Sequence, residues 1–244
     1  MTPGRIVAIV PAYNEAGAIG GVVAAIRAAN PRFDVVVVDD GSRDETSAIA
    51  RAHGAAVVTL PYNIGIGGAV QTGFKYALER GYGMAVRLDG DGQHDPGELP
   101  KLLGPIERDE ADIVTGSRFA DGSGDYRPPL ARRIGIIWFA RIVSLLTRQR
   151  VTDTTSGFQA LNRKGIALFA GDYPNDYPEV EATVLVFKHR LRLAEVPVTM
   201  REREHGDSSI TFLRSVYYML KVTLALLVAM VRKSTVPADE SSRP

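Results

Sequence analysis

The chain contains no cysteine. That absence removes disulfides, thiolate nucleophiles and cysteine-bound zinc together, and it fits a reducing compartment. Neither sign of charge is in excess: 29 Lys and Arg stand against 28 Asp and Glu, a formal net charge of +1. Bulk binding to nucleic acid is thereby disfavoured, although a local basic patch is not. No signal peptide is read in the first ten residues, because the apolar run Ile6–Val10 is short and leads straight into a polar motif. An internal repeat is also lacking. So is an unbroken apolar run of the roughly 20 residues that a spanning helix needs. What remains is ordinary globular composition: 244 residues, 45% hydrophobic and 23% charged. Such a chain is one large domain, or a domain with an appendage, and can bury a sizeable core.

Two signals alternate through the first two-thirds. Apolar, β-branched runs occur at Ile6–Val10, Val35–Val38, Ala56–Leu60, Met84–Leu88 and Ile113–Thr115. Helix-like segments lie between them near Ile19–Ala29, Asp44–His53, Gly68–Arg80 and Glu98–Arg108. Runs apolar on both faces and separated by helices predict an α/β fold, a parallel sheet covered on both sides. Ser42 and Glu45 have capping-box spacing for the second helix. Pro96 and Pro100 suit the entry of the fourth.

Ligands in such sheets bind beyond the carboxyl ends of the strands, and the polar motifs fall there. Pro11-Ala12-Tyr13-Asn14-Glu15 follows the first strand, Asp39-Asp40-Gly41-Ser42 the second, and Gly116-Ser117-Arg118 the fifth. The fourth runs into Leu88-Asp89-Gly90-Asp91-Gly92-Gln93-His94-Asp95-Pro96. Asp89 and Asp91 are two apart, so both carboxylates can reach one point on a turning loop. Two hard oxygen donors with open space beside them suit Mg²⁺ or Mn²⁺, with Gln93 as a third oxygen. A solvated Asp-Gly turn would explain the pair in isolation. An EF-hand would not, because position six is His94 rather than Gly and position twelve is Pro100 rather than Glu. An aromatic ring, an acid for base or ribose, a metal pair and an arginine at one sheet edge together describe a nucleoside-diphosphate site.

With Val10–Glu15, Val37–Thr46, Leu88–Pro96, Thr115–Phe119 and Asp153–Arg163 in view, the chain resembles family 2 glycosyltransferases of the GT-A fold. The branch it is similar to comprises the polyprenyl-phosphate sugar transferases typified by dolichol-phosphate mannose synthase. The resemblance spans roughly residues 5–210. It implies a Rossmann-like, mostly parallel sheet flanked by helices, and an enzyme with a nucleotide-sugar donor, GDP- or UDP-hexose. Pro11, Tyr13 and Glu15 would line the base and ribose pocket, with Asp40 bonding base or ribose. Asp89, Asp91 and Gln93 would hold the metal. Arg118 and one of Arg132 or Arg133 would hold the acceptor's phosphate, and Arg203 would lie on a loop closing over the diphosphate. Asp153 would sit near the acceptor, and inversion by single displacement is expected. The chain departs from the branch at Ile66, where a lysine is usual, and at Ser209, the lysine position of the closing loop.

The chemistry itself follows from charge. Displacing a nucleoside diphosphate builds negative charge on the leaving oxygens, which a divalent cation and arginines stabilise. A phosphate monoester acceptor, with a second pKa of about 6, is already a dianion and needs no strong base. A hydroxyl acceptor would need one, and Asp153 stands ahead of Glu179 and Glu181 for that task.

From Ile210 an amphipathic pattern predicts one long helix to residue 233, in contact with a membrane interface or another subunit. Residues 234–244 read as a polar, disordered tail. The expectation is a catalytic domain at 1–209 that transfers a hexose to a polyprenyl phosphate, peripheral at the cytoplasmic membrane face. A soluble transferase acting on a hydroxyl is the alternative. A sugar-nucleotide pyrophosphorylase would carry a Gly-rich basic loop after the first strand, which Pro11–Glu15 is not. A non-catalytic binding module fits poorly with two intact metal carboxylates.

Overall fold

The computed structural model describes residues 5–120, 130–147, 149–175, 178–200 and 223–224. Its strands are β1 (Ile6–Ala12), β2 (Phe33–Asp39), β3 (Ala56–Thr59), β4 (Met84–Arg87), β5 (Ile113–Ser117), β6 (Gln159–Asn162) and β7 (Leu193–Pro197). Its helices are α1 (Ile19–Ala29), α2 (Thr46–Ala52), α3 (Ile66–Glu79), α4 (Leu99–Glu107), α5 (Leu130–Thr147), α6 (Arg163–Gly171) and α7 (Pro178–Lys188). They build one seven-stranded sheet in the order β3-β2-β1-β4-β6-β5-β7.

Strand β1 shows why both faces are covered. Side chains alternate across a strand, and every residue of β1 is buried. Ile6, Ala8 and Val10 join the core beneath α1 and α4, with Val23, Ile26, Leu99 and Leu102. Val7 and Ile9 join the opposite core beneath α3 and α6, with Val70, Phe74, Ile166 and Phe169. A third, smaller core packs α5 on α7 through Phe139, Val143, Val180 and Val184.

Two departures from the sequence reading matter. The sheet is mostly parallel, as the resemblance implies, and the departure lies in its one reversed strand, β6, which runs antiparallel to both β4 and β5. Four residues that lead directly into α6 carry too little alternation to announce a strand, so β6 was not foreseen; nor was β7. Reversing twice, the insertion leaves β5 pointing with β4, and their carboxyl ends share one edge. The Ser42–Glu45 capping box does not form. The Ser42 hydroxyl instead accepts the Asn14 N–H at 2.9 Å, and α2 begins behind Glu45 without a side-chain cap. The entry to α4 is as expected: Pro96 opens a 3-10 turn capped by Asp95, and Pro100 lies in the first turn of the helix.

At the opposite edge of the sheet Asp112 ties the starts of β5 and β7 to the end of the reversed strand β6. Its carboxylate accepts from the Arg192 backbone N–H at 2.9 Å, from Arg192 Nε at 3.1 Å and from Asn162 Nδ2 at 2.8 Å. Burial alone would raise its pKa, but these hydrogen bonds and the Arg192 charge outweigh burial and hold it at about 2, against 3.8 unperturbed. A carboxylate depressed in the folded state stabilises the fold above the unfolded pKa, and that contribution fades as pH falls toward the folded value. Asp112→Asn is therefore expected to cost roughly 2 kcal/mol at pH 7. Urea melts should show the gap between the two proteins shrinking by pH 3.

Candidate active site

The site is assembled where β1, β2 and β4 end. Asn14 takes a left-handed conformation at φ 56°, one that Asn tolerates. Its side-chain oxygen accepts the Arg43 N–H at 2.9 Å, and the Glu15 N–H reaches Thr46 Oγ1 at 2.9 Å. The loops after β1 and β2 are thus stitched to each other. Buried Asp40 clasps a third loop: its two carboxylate oxygens accept the N–H groups of Ile64 at 2.8 Å and Gly65 at 3.0 Å. Gly65 stands at φ 90°, which a side chain would strain. Asp40 was expected to bond base or ribose. Its first duty is to this loop, although each oxygen keeps a second lone pair.

Strand β4 ends on Arg87, a cation 1% exposed. Its Nη1 donates to the Tyr173 hydroxyl at 2.9 Å, and its Nη2 to Glu179 Oε1 at 2.7 Å and more distantly to Asp89 Oδ1 at 3.5 Å. Burial opposes the guanidinium charge, but Tyr173, Glu179 and Asp89 more than offset it, and its pKa is raised. Burial pushes the Tyr173 hydroxyl up as well, so it stays protonated. The turn beyond is braced by His94, whose Nδ1 accepts the Asp89 N–H at 3.0 Å. Its ring stacks on Phe158 at 4.8 Å between centroids, and burial keeps it neutral by lowering its pKa.

A cleft of about 410 Å³ opens at this edge, lined by Pro11, Tyr13, Glu15, Asp40, Asp89 and Asp91 among others. Six of the residues singled out in the sequence therefore meet in one place. Arg87 and Glu179 line it too, so five carboxylates face a single guanidinium among the described lining residues. Such a cleft repels a polyphosphate until a cation enters with it. Asp89 and Asp91 suit a hard divalent ion that keeps places for water and phosphate oxygens. Among the described residues no group of three His, Cys, Asp or Glu is placed to hold a metal. Gln93 lies on the same turn, with its N–H on Asp91 Oδ1 at 3.0 Å, but is not part of the cleft lining.

Arg118 and Asp153, each expected near the acceptor, form one buried pair. Arg118 Nε and Nη2 meet the two Asp153 oxygens at 2.7 and 2.8 Å, the in-plane match that a guanidinium fork favours. Asp153 accepts five hydrogen bonds from Arg118 and Thr155, so its lone pairs are already committed. Glu195 on β7 holds the same segment by accepting the N–H groups of Thr152 and Asp153 at 2.8 and 2.9 Å. Arg132 and Arg133 fall on α5, but their side chains lie outside the described residues, as do Arg203 and most of 210–233. Residues 223–224 are helical, and Trp138 Nε1 on α5 donates to Thr223 Oγ1 at 3.2 Å.

Arg87 and Tyr173 were missed, and Glu179 was weighed only as a base. The available signal was an arginine closing an otherwise apolar strand, Met84-Ala85-Val86-Arg87. A charge at such a position needs a buried partner, but its spacing does not say which.

Comparison with known proteins adds the family. Glycosyl transferase family 2 matches residues 7–168. The chain is 34% identical over 216 residues to an undecaprenyl-phosphate mannosyltransferase of Micrococcus luteus, covering 85% of this chain and 88% of that one. It is 32% identical over 210 residues to a UDP-N-acetylglucosamine–dolichyl-phosphate N-acetylglucosaminyltransferase of Methanococcus voltae, with 78% and 83% covered. Among solved structures, glucosyl-3-phosphoglycerate synthase of Mycobacterium tuberculosis, in complex with Mn²⁺, UDP and glucosyl-3-phosphoglycerate, superposes with a TM-score of 0.71 at 22% identity, covering 95% of this chain and 82% of that one. That likeness establishes the GT-A fold.

Gly157 keeps the room that Arg87 and Asp89 share. A Cβ there would stand 2.9 Å from Arg87 Nη2 and 3.1 Å from Asp89 Oδ1, and the fully buried fork has nowhere to retreat. Gly157→Ala should lower stability by about 1–3 kcal/mol. Thermal or urea melts of the two proteins would measure the loss.

Proposed function

The chain belongs to glycosyl transferase family 2, and we propose that it moves a hexose from a nucleoside-diphosphate donor to a polyprenyl phosphate, with inversion. One observation carries the donor half of this reading: the cleft at the carboxyl edge holds five carboxylates against Arg87. A diphosphate can enter that field only in company with a cation. Asp89 and Asp91, joined by Gln93, would hold Mg²⁺ or Mn²⁺. The bound ion would supply positive charge where the departing diphosphate gains negative charge. Pro11 and the half-exposed ring of Tyr13 wall the base end, while Glu15 and the second lone pairs of Asp40 suit base or ribose donors.

The acceptor half rests on what Asp153 cannot do. With its oxygens taken up by Arg118 and Thr155, it has no lone pair placed to draw a proton from a hydroxyl. A phosphate dianion needs no such help. Relatives named for undecaprenyl and dolichyl phosphate support the same acceptor. In this reading the Arg118–Asp153 pair positions the acceptor side, and Arg132 or Arg133 on α5 meets the phosphate. Arg203 closes over the diphosphate.

No helix among the described residues is long and apolar enough to cross a membrane. On α5, Ile137 and Trp138 are 41% and 49% exposed, a short distance along the helix from Arg132 and Arg133. Exposed apolar side chains on a helix whose sequence also carries arginines suit a membrane interface, and we place the enzyme at the cytoplasmic face of the membrane.

Labelled transfer from UDP- and GDP-hexoses to a short-chain polyprenyl phosphate should require Mn²⁺ or Mg²⁺ and stop with chelator. Asp89→Ala and Asp91→Ala should each lower kcat roughly 10²–10³-fold with the fold retained by circular dichroism. Transfer to glycan hydroxyls in place of the lipid phosphate would replace the acceptor; full activity of Asp89→Ala would overturn the metal role.

A further inference from the structure

Arg87 fixes one half of Glu179 and leaves the other half available to the donor. Glu179 lies in the first turn of α7 and lines the cleft beside Asp89 and Asp91. Its Oε1 is held by Arg87 Nη2 at 2.7 Å. That guanidinium cannot swing, because it is 1% exposed and its Nη1 is tied to Tyr173 at 2.9 Å. Oε2 has no hydrogen bond from any described residue, on a side chain 24% exposed. The result is a rigid carboxylate with one oxygen spent and one left to accept.

A carboxylate accepts and does not donate, so it repels phosphate and welcomes hydroxyl. Asp89 and Asp91 already serve the diphosphate, and Pro11 and Tyr13 stand at the base end. The donor group left for Glu179 is the sugar. We propose that Glu179 recognises the donor's hexose by accepting its hydroxyl protons, with Arg87 as the residue that positions it. This inference rests on the transferase reading and narrows it to a substrate class. The donor is a neutral hexose with free hydroxyls. A hexuronate is rejected, since its carboxylate would meet Glu179 with only Arg87 nearby, and Arg87 is already engaged by Glu179, Tyr173 and Asp89. Ile66, on the same wall, offers no compensating cation.

A site built to bond a hydroxyl discriminates strongly against a ligand that lacks or inverts that group. Calorimetric titration of the full chain with Mn²⁺ would compare UDP, UDP-glucose and UDP-glucuronate, and GDP, GDP-mannose and GDP-mannuronate. The wild-type protein should bind the neutral sugar nucleotide at least about tenfold tighter than the uronate of the same base. Glu179→Gln should leave the affinity for the free nucleoside diphosphate within about twofold, weaken the hexose donor about tenfold and narrow the gap to the uronate. The donor's KM should rise with it. Equal binding of hexose and hexuronate by the wild type overturns the assignment without needing a variant. So does a Glu179→Gln protein whose kcat falls while its donor affinities stay put, which would make the group a base. Binding of no nucleoside diphosphate by the wild type overturns the transferase reading, and this assignment falls with it.

Discussion

The structure turns on a buried guanidinium. Arg87 ends the central strand β4 with its charge beneath the cleft floor, where it joins α7 through Glu179, the segment after α6 through Tyr173, and the Asp89 turn. Removing one partner from such a buried arrangement leaves an uncompensated charge, at a cost on the order of 3–5 kcal/mol. The arrangement therefore resists rearrangement as a unit. Its consequence is register: two cleft carboxylates, Asp89 and Glu179, are set by the same cation.

Around that centre the loops are held by polar bonds rather than by apolar packing. Asn14, Ser42 and Thr46 knit the first two loops together, and Asp40 fixes the third. Their backbone groups would otherwise need water, and satisfying them internally leaves the cleft wall in one shape before any ligand arrives. Preorganisation of this kind lowers the ordering cost of binding. The Arg118–Asp153 pair does the same on the far side, with Glu195 bracing the chain behind it. Arg118, which the resemblance places at the acceptor's phosphate, spends its Nε and one Nη on Asp153.

The sheet explains how these two sides come to face each other. Strand β6 enters between β4 and β5 antiparallel to both. It brings Gly157 under Arg87 and the segment 152–155 against Arg118, while leaving the ends of β4 and β5 on the same edge. A purely parallel sheet would have sent that returning segment to the opposite edge.

What the sequence determined by itself was local. Alternating apolar runs and helices gave the layered α/β class, and Asp89 with Asp91 read as a metal pair because two residues' spacing is enough to bring two carboxylates together. Pro11, Tyr13, Glu15 and Asp40 followed from lying just past strands whose direction the pattern implied. Tertiary structure decided whatever depended on distant partners. Arg87 and Glu179 are 92 positions apart, and Arg118 and Asp153 are 35 apart. No periodicity links such residues; only chain folding does, through a four-residue reversed strand whose pattern is too short to announce itself. Whether a charged side chain is open to a ligand or consumed by a neighbour is a matter of desolvation and geometry, and these exist only once the sheet has closed over it.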